Sequence, residues 1–170
     1  QVKMNTKHLQ GILSYSIACL FLCYIMAVQV SPSIMTEILM QDLHINATEL
    51  SLLSSCYFYT YTLMQIPSGL ILDHYNPRHV LTSAIILATL GILPLIISKN
   101  IYWIALGRVI TGFGSAFAFN GILLIAAKNL PSAYFPFLVG IGQLLGALGG
   151  ILGEGPLASI ISTYGWNDCM

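Results

Sequence analysis

Five long, nearly unbroken apolar runs leave this chain few ways to fold. They cover about 11–34, 50–72, 79–98, 101–127 and 135–162. About 20 apolar residues suffice for a helix to cross the hydrocarbon layer of a bilayer. Only helices and closed barrels can cross, because every backbone N–H and C=O must be bonded internally there. Nothing in the chain alternates with period two, which argues against a barrel. The expected fold is therefore all-α, a polytopic transmembrane helix bundle with five spans.

Charge agrees with this reading. Hydrophobic residues make up 56% of the chain and charged ones 7%, against about a quarter charged in a soluble domain. So little charge cannot wet a surface, and the lipid bilayer is the expected partner. Net charge is zero, which gives no basic field for nucleic acid. The first run is too long for a signal peptide, lacks a small-residue cleavage site and is followed by further spans.

Lysine and arginine set an orientation. Lys3 and Lys7 precede the first span, Arg78 lies between the second and third, and Lys128 between the fourth and fifth. The opposite side has only Lys99, and its first loop carries Glu37 and Asp42. The positive-inside rule then places the N-terminus in the cytoplasm, with the chain multi-pass in the inner (plasma) membrane. The chain begins at Gln1 and stops shortly after the fifth span, and a piece of a longer protein is the expectation.

Little else suggests chemistry. Cys19 and Cys23 lie one helical turn apart, Cys56 sits in another apolar run and Cys169 at the end. None forms a CxxC or zinc-type spacing, so they read as small packing residues. His8, His44, His74 and His79 lie scattered at membrane edges. With no nucleotide loop, catalytic triad, haem motif or metal cluster, the expectation is no enzyme, no cofactor and no metal. Asn46-Ala47-Thr48 reads either as a glycosylation sequon or as a helix start, with Asn46 capping and Glu49 three residues on.

Between the second and third runs stands "GLILDHYNPR", residues 69–78. Gly69 permits close helix approach and Asp73 ends the apolar run. Asn76 can adopt the left-handed conformation of a tight reversal, and Pro77 suits the first turn of the next helix. This order resembles the loop 2–3 signature of the major facilitator superfamily, G-x-x-x-D-[RK]-x-G-[RK]-[RK]. Gly69, Asp73 and Arg78 match; Asn76 replaces a glycine, and His74 and Pro77 replace basic residues. "GRVITGFGSAF", 107–117, resembles the R-x-x-x-G element of the fourth helix, at Arg108 and Gly112. "GIGQLLGALGGILGEGPL", 140–157, resembles the glycine-rich fifth helix, and "QIPSGLILD", 65–73, resembles helix two of bacterial members.

The resemblance implies the N-terminal half of a twelve-helix secondary transporter, minus its sixth helix, with the C-terminal half of the same protein as a missing partner. It implies a symporter or uniporter that moves a small solute by alternating access between two six-helix bundles. It also gives Asp73, with Gly69 and Arg78, the role of a conformational gate. Gly155-Pro156 continues as Leu-Ala-Ser-Ile, without the glycines of the drug antiporter element, so drug antiport is not implied.

Charge inside a span costs at least ~2.5–3.5 kcal/mol on insertion scales, and Arg108 and Glu154 are the groups that incur it. Both fall roughly 10–13 Å from the same end of their spans at about 1.5 Å per residue. They are expected to pair, either as a substrate and proton site or as a static ion pair. Arg108 favours a small organic anion or zwitterion as substrate. Tyr57, Tyr61, Gln65 and Ser68 share a stripe on span two, and Asn120 and Gln143 are lone polar groups in spans four and five. Each reads either as cavity lining or as a packing group bonded to a neighbour. Tyr24 and Gln29 in span one are weaker candidates of the same kind. Gly142, Gly146, Gly149, Gly150 and Gly153 form one bare helical face for close packing, and Pro156 is expected to bend that helix. The rival reading is a truncated, non-transporting membrane fragment or a helical scaffold that depends on a partner.

Overall fold

The computed structural model describes the backbone of residues 6–34, 36, 40, 45–98 and 100–164, and the side chains of 10–30, 36, 40, 45–98 and 100–154. Among the described residues six α-helices carry the fold: α1 (Thr6–Ile34), α2 (Ala47–His74), α3 (Pro77–Leu90), α4 (Leu93–Ile97), α5 (Ile101–Asn129) and α6 (Phe135–Tyr164). A short 3-10 turn, Ser132–Tyr134, leads into α6. Among the described residues no strand occurs.

Among the described residues, four segments are long and apolar enough to cross a membrane: Gln10–Val30, Pro77–Ile97, Ile101–Asn129 and Ser132–Glu154. The second of these combines α3 and α4. The span expected as one helix over 79–98 is thus broken, and the break has a local cause. Pro94 has no N–H to continue the ladder. Gly91, which ends α3, lies so close to α5 that a Cβ there would meet the Gly107 carbonyl at 2.7 Å. A Cβ at Gly107 would in turn meet the Gly91 carbonyl at 2.5 Å, so the two backbones cross at a pair of glycines.

Helix α2 is 28 residues long, about 42 Å at 1.5 Å per residue, but it is richer in Ser, Thr and Tyr than the other long helices. Three of its hydroxyls are satisfied by the helix's own carbonyls, which suits hydrocarbon surroundings. Ser51 donates to the Ala47 carbonyl, Ser55 to Ser51 and Thr60 to Cys56, at 2.8, 2.8 and 2.9 Å. At its start the Glu49 carboxylate accepts from the Asn46 backbone N–H at 2.9 Å, half of the capping box.

Helix α5 is the hub. Of its apolar window 61% is buried, against 17–39% for the other three. It carries α2 and α3 on one side and α1 on another, and α6 is held mainly by α1. The glycines of α6 explain that last pairing. A Cβ at Gly146 would meet Leu22 at 3.1 Å, one at Gly153 would meet the Ala27 Cα at 2.8 Å, and one at Gly149 would overlap the Cys23 backbone. Gly150 has ordinary space, with Val30 at 3.9 Å. Helix α6 continues through Pro156 to Tyr164; the Pro156 ring lies outside the described side chains. Tyr15 adds a hydrogen bond from α1 to the Leu138 carbonyl of α6.

Candidate functional site

The site is built where α2 and α5 cross. Gly112 allows the crossing, since a Cβ there would meet the Tyr57 carbonyl at 2.6 Å. One turn before it on α5, Arg108 is only 6% exposed, and Tyr57 opposite is 1% exposed. The guanidinium carbon lies 5.3 Å from the centre of the Tyr57 ring, a cation–π contact. Tyr61 stacks on Tyr57 with ring centres 6.0 Å apart and planes 9° from parallel. The Tyr57 hydroxyl points the other way and donates to Gln29 Oε1 of α1 at 3.4 Å. Three helices thus hold one buried cation. Among the described residues no carboxylate forms a salt bridge with it.

Below this lies a hydroxyl ladder on the face of α5 that carries Arg108. Thr111 donates to Gly107 at 2.9 Å and reaches the Ala88 carbonyl at 3.4 Å, and Ser115 donates to Thr111 at 2.6 Å. Sequence reasoning missed both hydroxyls. Their signal was the i, i+3, i+7 spacing from Arg108, which puts them on one face.

One turn further on, Asn120 closes the α2–α5 contact. Its side-chain N–H groups donate to the Gln65 carbonyl at 2.9 Å and to Ser68 Oγ at 2.7 Å. Ser68, fully buried, donates to Gln65 at 3.0 Å and to the Ala116 carbonyl at 3.3 Å. Asn120 is therefore a pin between helices beside Pro67. Gln65 takes part through its backbone.

The family model described as Major Facilitator Superfamily matches residues 17–167. The chain belongs to the Major Facilitator Superfamily. Similar proteins include the MFS-type transporter VdtG of Byssochlamys spectabilis, 28% identical over 68% of this chain and 21% of its own length. The probable sulfoacetate transporter SauU of Cupriavidus necator is 23% identical over 98% of this chain and 38% of its own length. Probable anion transporter 7 of Oryza sativa subsp. japonica is 29% identical over 79% of this chain and 31% of its own length. The chain thus spans well under half the length of these relatives. No solved structure matches it. It is a multi-pass membrane protein of a transporter family, not an enzyme.

Two other candidate residues stand elsewhere. Glu154 and Gln143 lie on exposed faces of α6, and the structure brings neither to Arg108. The reason is that α6 packs against α1 and hardly touches α5, so the depth match between Arg108 and Glu154 does not make them neighbours.

The reversal between α2 and α3 differs from expectation. Asn76 is extended, φ −66° and ψ 118°, and caps α3 by accepting from the Arg78 N–H at 3.1 Å. Tyr75 is extended as well, φ −109°. Two extended residues make the turn, and no left-handed residue is needed because Pro77 starts the next helix at once. Asp73 and Arg78 are exposed. Gly69 approaches nothing: a Cβ there would meet no atom within 4 Å. Its bare face and Asp73, one turn on, lie on the same side of α2.

Proposed function

We propose that this chain is the N-terminal part of a secondary transporter that carries a small organic anion or zwitterion across the plasma membrane by alternating access. Arg108 is the substrate-binding cation, and the N-terminus lies in the cytoplasm. The observation that carries the reading is the state of Arg108: a cation buried within the bundle, oriented by Tyr57, with no carboxylate paired to it among the described residues. Such a charge is costly in a membrane unless something anionic meets it or it faces a wet cavity. A guanidinium is suited to carboxylate, sulfonate or phosphate, because its fork of donors matches their oxygens. The names of two relatives, a probable sulfoacetate transporter and a probable anion transporter, support the same substrate class.

In this mechanism Tyr57 and Tyr61 hold the guanidinium in one orientation and form an aromatic wall beside the solute. The pin at Asn120 and Ser68 keeps α2 and α5 moving as one body. Gly69 and Asp73 at the far end of α2 and Arg78 at the start of α3 lie where a second bundle would close against this one. The static ion-pair reading of Arg108 lacks its partner, since Glu154 is exposed on α6. The energy source is a gradient of the solute itself or of protons.

The test is uptake into vesicles carrying the complete reading frame that contains this chain. Labelled carboxylates, sulfonates and phosphates are compared with a cation and a neutral sugar. Uptake of an anion or zwitterion is expected. Arg108→Ala should reduce it by at least about 100-fold, the loss of a charge-assisted bidentate contact of ~3 kcal/mol. Unchanged uptake in Arg108→Ala, or transport of cations alone, overturns the reading.

A further inference from the structure

Between α3 and α4 the helical ladder tightens. The Ile92 N–H donates to the Thr89 carbonyl at 3.2 Å, and the Leu95 N–H to the Ile92 carbonyl at 2.9 Å. Both are 3-10 bonds, and a 3-10 stretch inside a long helix often marks a hinge. The tightening leaves two carbonyls outside the ladder. The Ala88 carbonyl loses the Ile92 N–H, and Pro94 has no N–H to offer the Leu90 carbonyl. The Thr111 hydroxyl of α5 reaches the freed Ala88 carbonyl at 3.4 Å and shares its proton with the Gly107 carbonyl at 2.9 Å. Gly91 permits this approach, since a Cβ there would overlap Thr111 Oγ1. Gly107, Arg108 and Thr111 share one turn of α5.

The two sides of this joint belong to different packing units. The last turn of α3 is tied to α1 by the Tyr24 and Thr89 hydroxyls, 3.3 Å apart, and Ala84 and Ala88 lie in the main apolar core. Beyond the joint, Leu95 of α4 packs with Leu50 and Leu53 of α2 and Ile104 of α5 in a separate, smaller cluster. Leu53 stands one turn before Tyr57, and Ile104 one turn before Arg108. The small cluster therefore covers the buried cation at the end of the bundle where α2 begins.

We infer that α4 is a lid over Arg108, hinged at Gly91 and Ile92, and that the Thr111 hydroxyl is the latch that keeps it closed. Two donors compete for one carbonyl. In the closed form Ala88 accepts from Thr111; in the open form it accepts from the Ile92 N–H, as an ordinary α-helix would have it. Unwinding two residues from 3-10 to α geometry turns everything beyond them by about 40°. That rotation takes Leu95 out of the small cluster and leaves α3 in place. The purpose of the lid rests on the reading of Arg108 as the substrate-binding cation; the joint and its latch do not.

The experiment uses membrane fragments carrying the complete reading frame that contains this chain, open from both faces to a water-soluble maleimide. Leu53→Cys reports on the small cluster and Ala118→Cys on the main core, both sites being buried. Labelling at each is read by peptide mass. Thr111→Val should raise labelling of Leu53→Cys by at least about fivefold, the effect of one buried carbonyl left unpaired in the closed form. Ala118→Cys should stay unlabelled. Thr111→Ser keeps the hydroxyl and should restore the parent rate. Pro94→Ala returns an N–H to the Leu90 carbonyl, favours the open form by a separate route, and should raise labelling as well. An equal rise at both cysteines overturns the lid, since it means a loosened bundle. No rise at Leu53→Cys in either variant, or the same rise in Thr111→Ser as in Thr111→Val, overturns it too. Labelling needs no solute, so this pattern without anion uptake removes the substrate reading and still supports the moving lid.

Discussion

At position 57 one phenol serves three neighbours. Its ring faces Arg108, its flank stacks on Tyr61, and its hydroxyl reaches Gln29. The ring and the hydroxyl are separable by substitution. Tyr57→Phe keeps the cation–π face and loses a hydrogen bond that is long at 3.4 Å, so uptake should stay within about threefold of the parent. Tyr57→Leu removes the ring from a desolvated guanidinium, a contact of ~2 kcal/mol, and should raise the KM for an anionic solute about 30-fold. KM and kcat measured on both variants decide the matter. Equal effects would mean that the hydroxyl, not the ring, orients Arg108.

At the scale of elements, the α1–α6 pairing rests on missing side chains. Gly149 and Gly150 are chain neighbours with opposite surroundings: a Cβ at the first would overlap the Cys23 backbone, and one at the second has Val30 at 3.9 Å. Gly149→Ala should destabilise the chain by about 1–3 kcal/mol, the cost of overpacking, because backbone cannot yield as a side-chain tip does. Gly150→Ala should be neutral or mildly stabilising, since alanine is the better helix former. Thermal unfolding of the two variants in detergent gives the comparison, and an equal shift would refute the close approach. The all-α class was legible in the sequence because long apolar runs must be helical in a bilayer, although the run at 50–72 is not among the four apolar spans and the run at 79–98 is broken; the glycine face of α6 was legible from its period. The partner of that face was not, because helix order in space is set by packing that no local pattern encodes. For the same reason Glu154 could be placed at the depth of Arg108 and still lie on another side of the bundle. The break at Gly91 was hidden inside an apolar run, where only Pro94 hinted at it. Arg108 and Tyr57 were legible as unusual residues for a membrane interior; the pinning role of Asn120 emerged only from its partners on α2.

For the whole molecule, the features left unused by this bundle are informative. Gly69 has open space around it, and Asp73 on the same side of α2 is exposed. A glycine inside a helix costs stability of about 1 kcal/mol relative to alanine, and nothing within the described residues uses its smallness. A second bundle closing against this face would. That separates two quantities that a packing role would couple. Gly69→Leu should leave the unfolding temperature of this chain unchanged or slightly raised, because the new side chain meets no neighbour and leucine favours helix. In the complete transporter the same substitution should slow uptake by about tenfold or more, since overpacking by 1–3 kcal/mol at a closing interface opposes one of the two conformations. Substrate affinity at Arg108, measured by binding without turnover, should change little. A loss of stability in the isolated chain would place an unrecognised neighbour at Gly69. Undiminished uptake would mean that this face closes against nothing, and the gating role of Asp73 and Arg78 would fall with it.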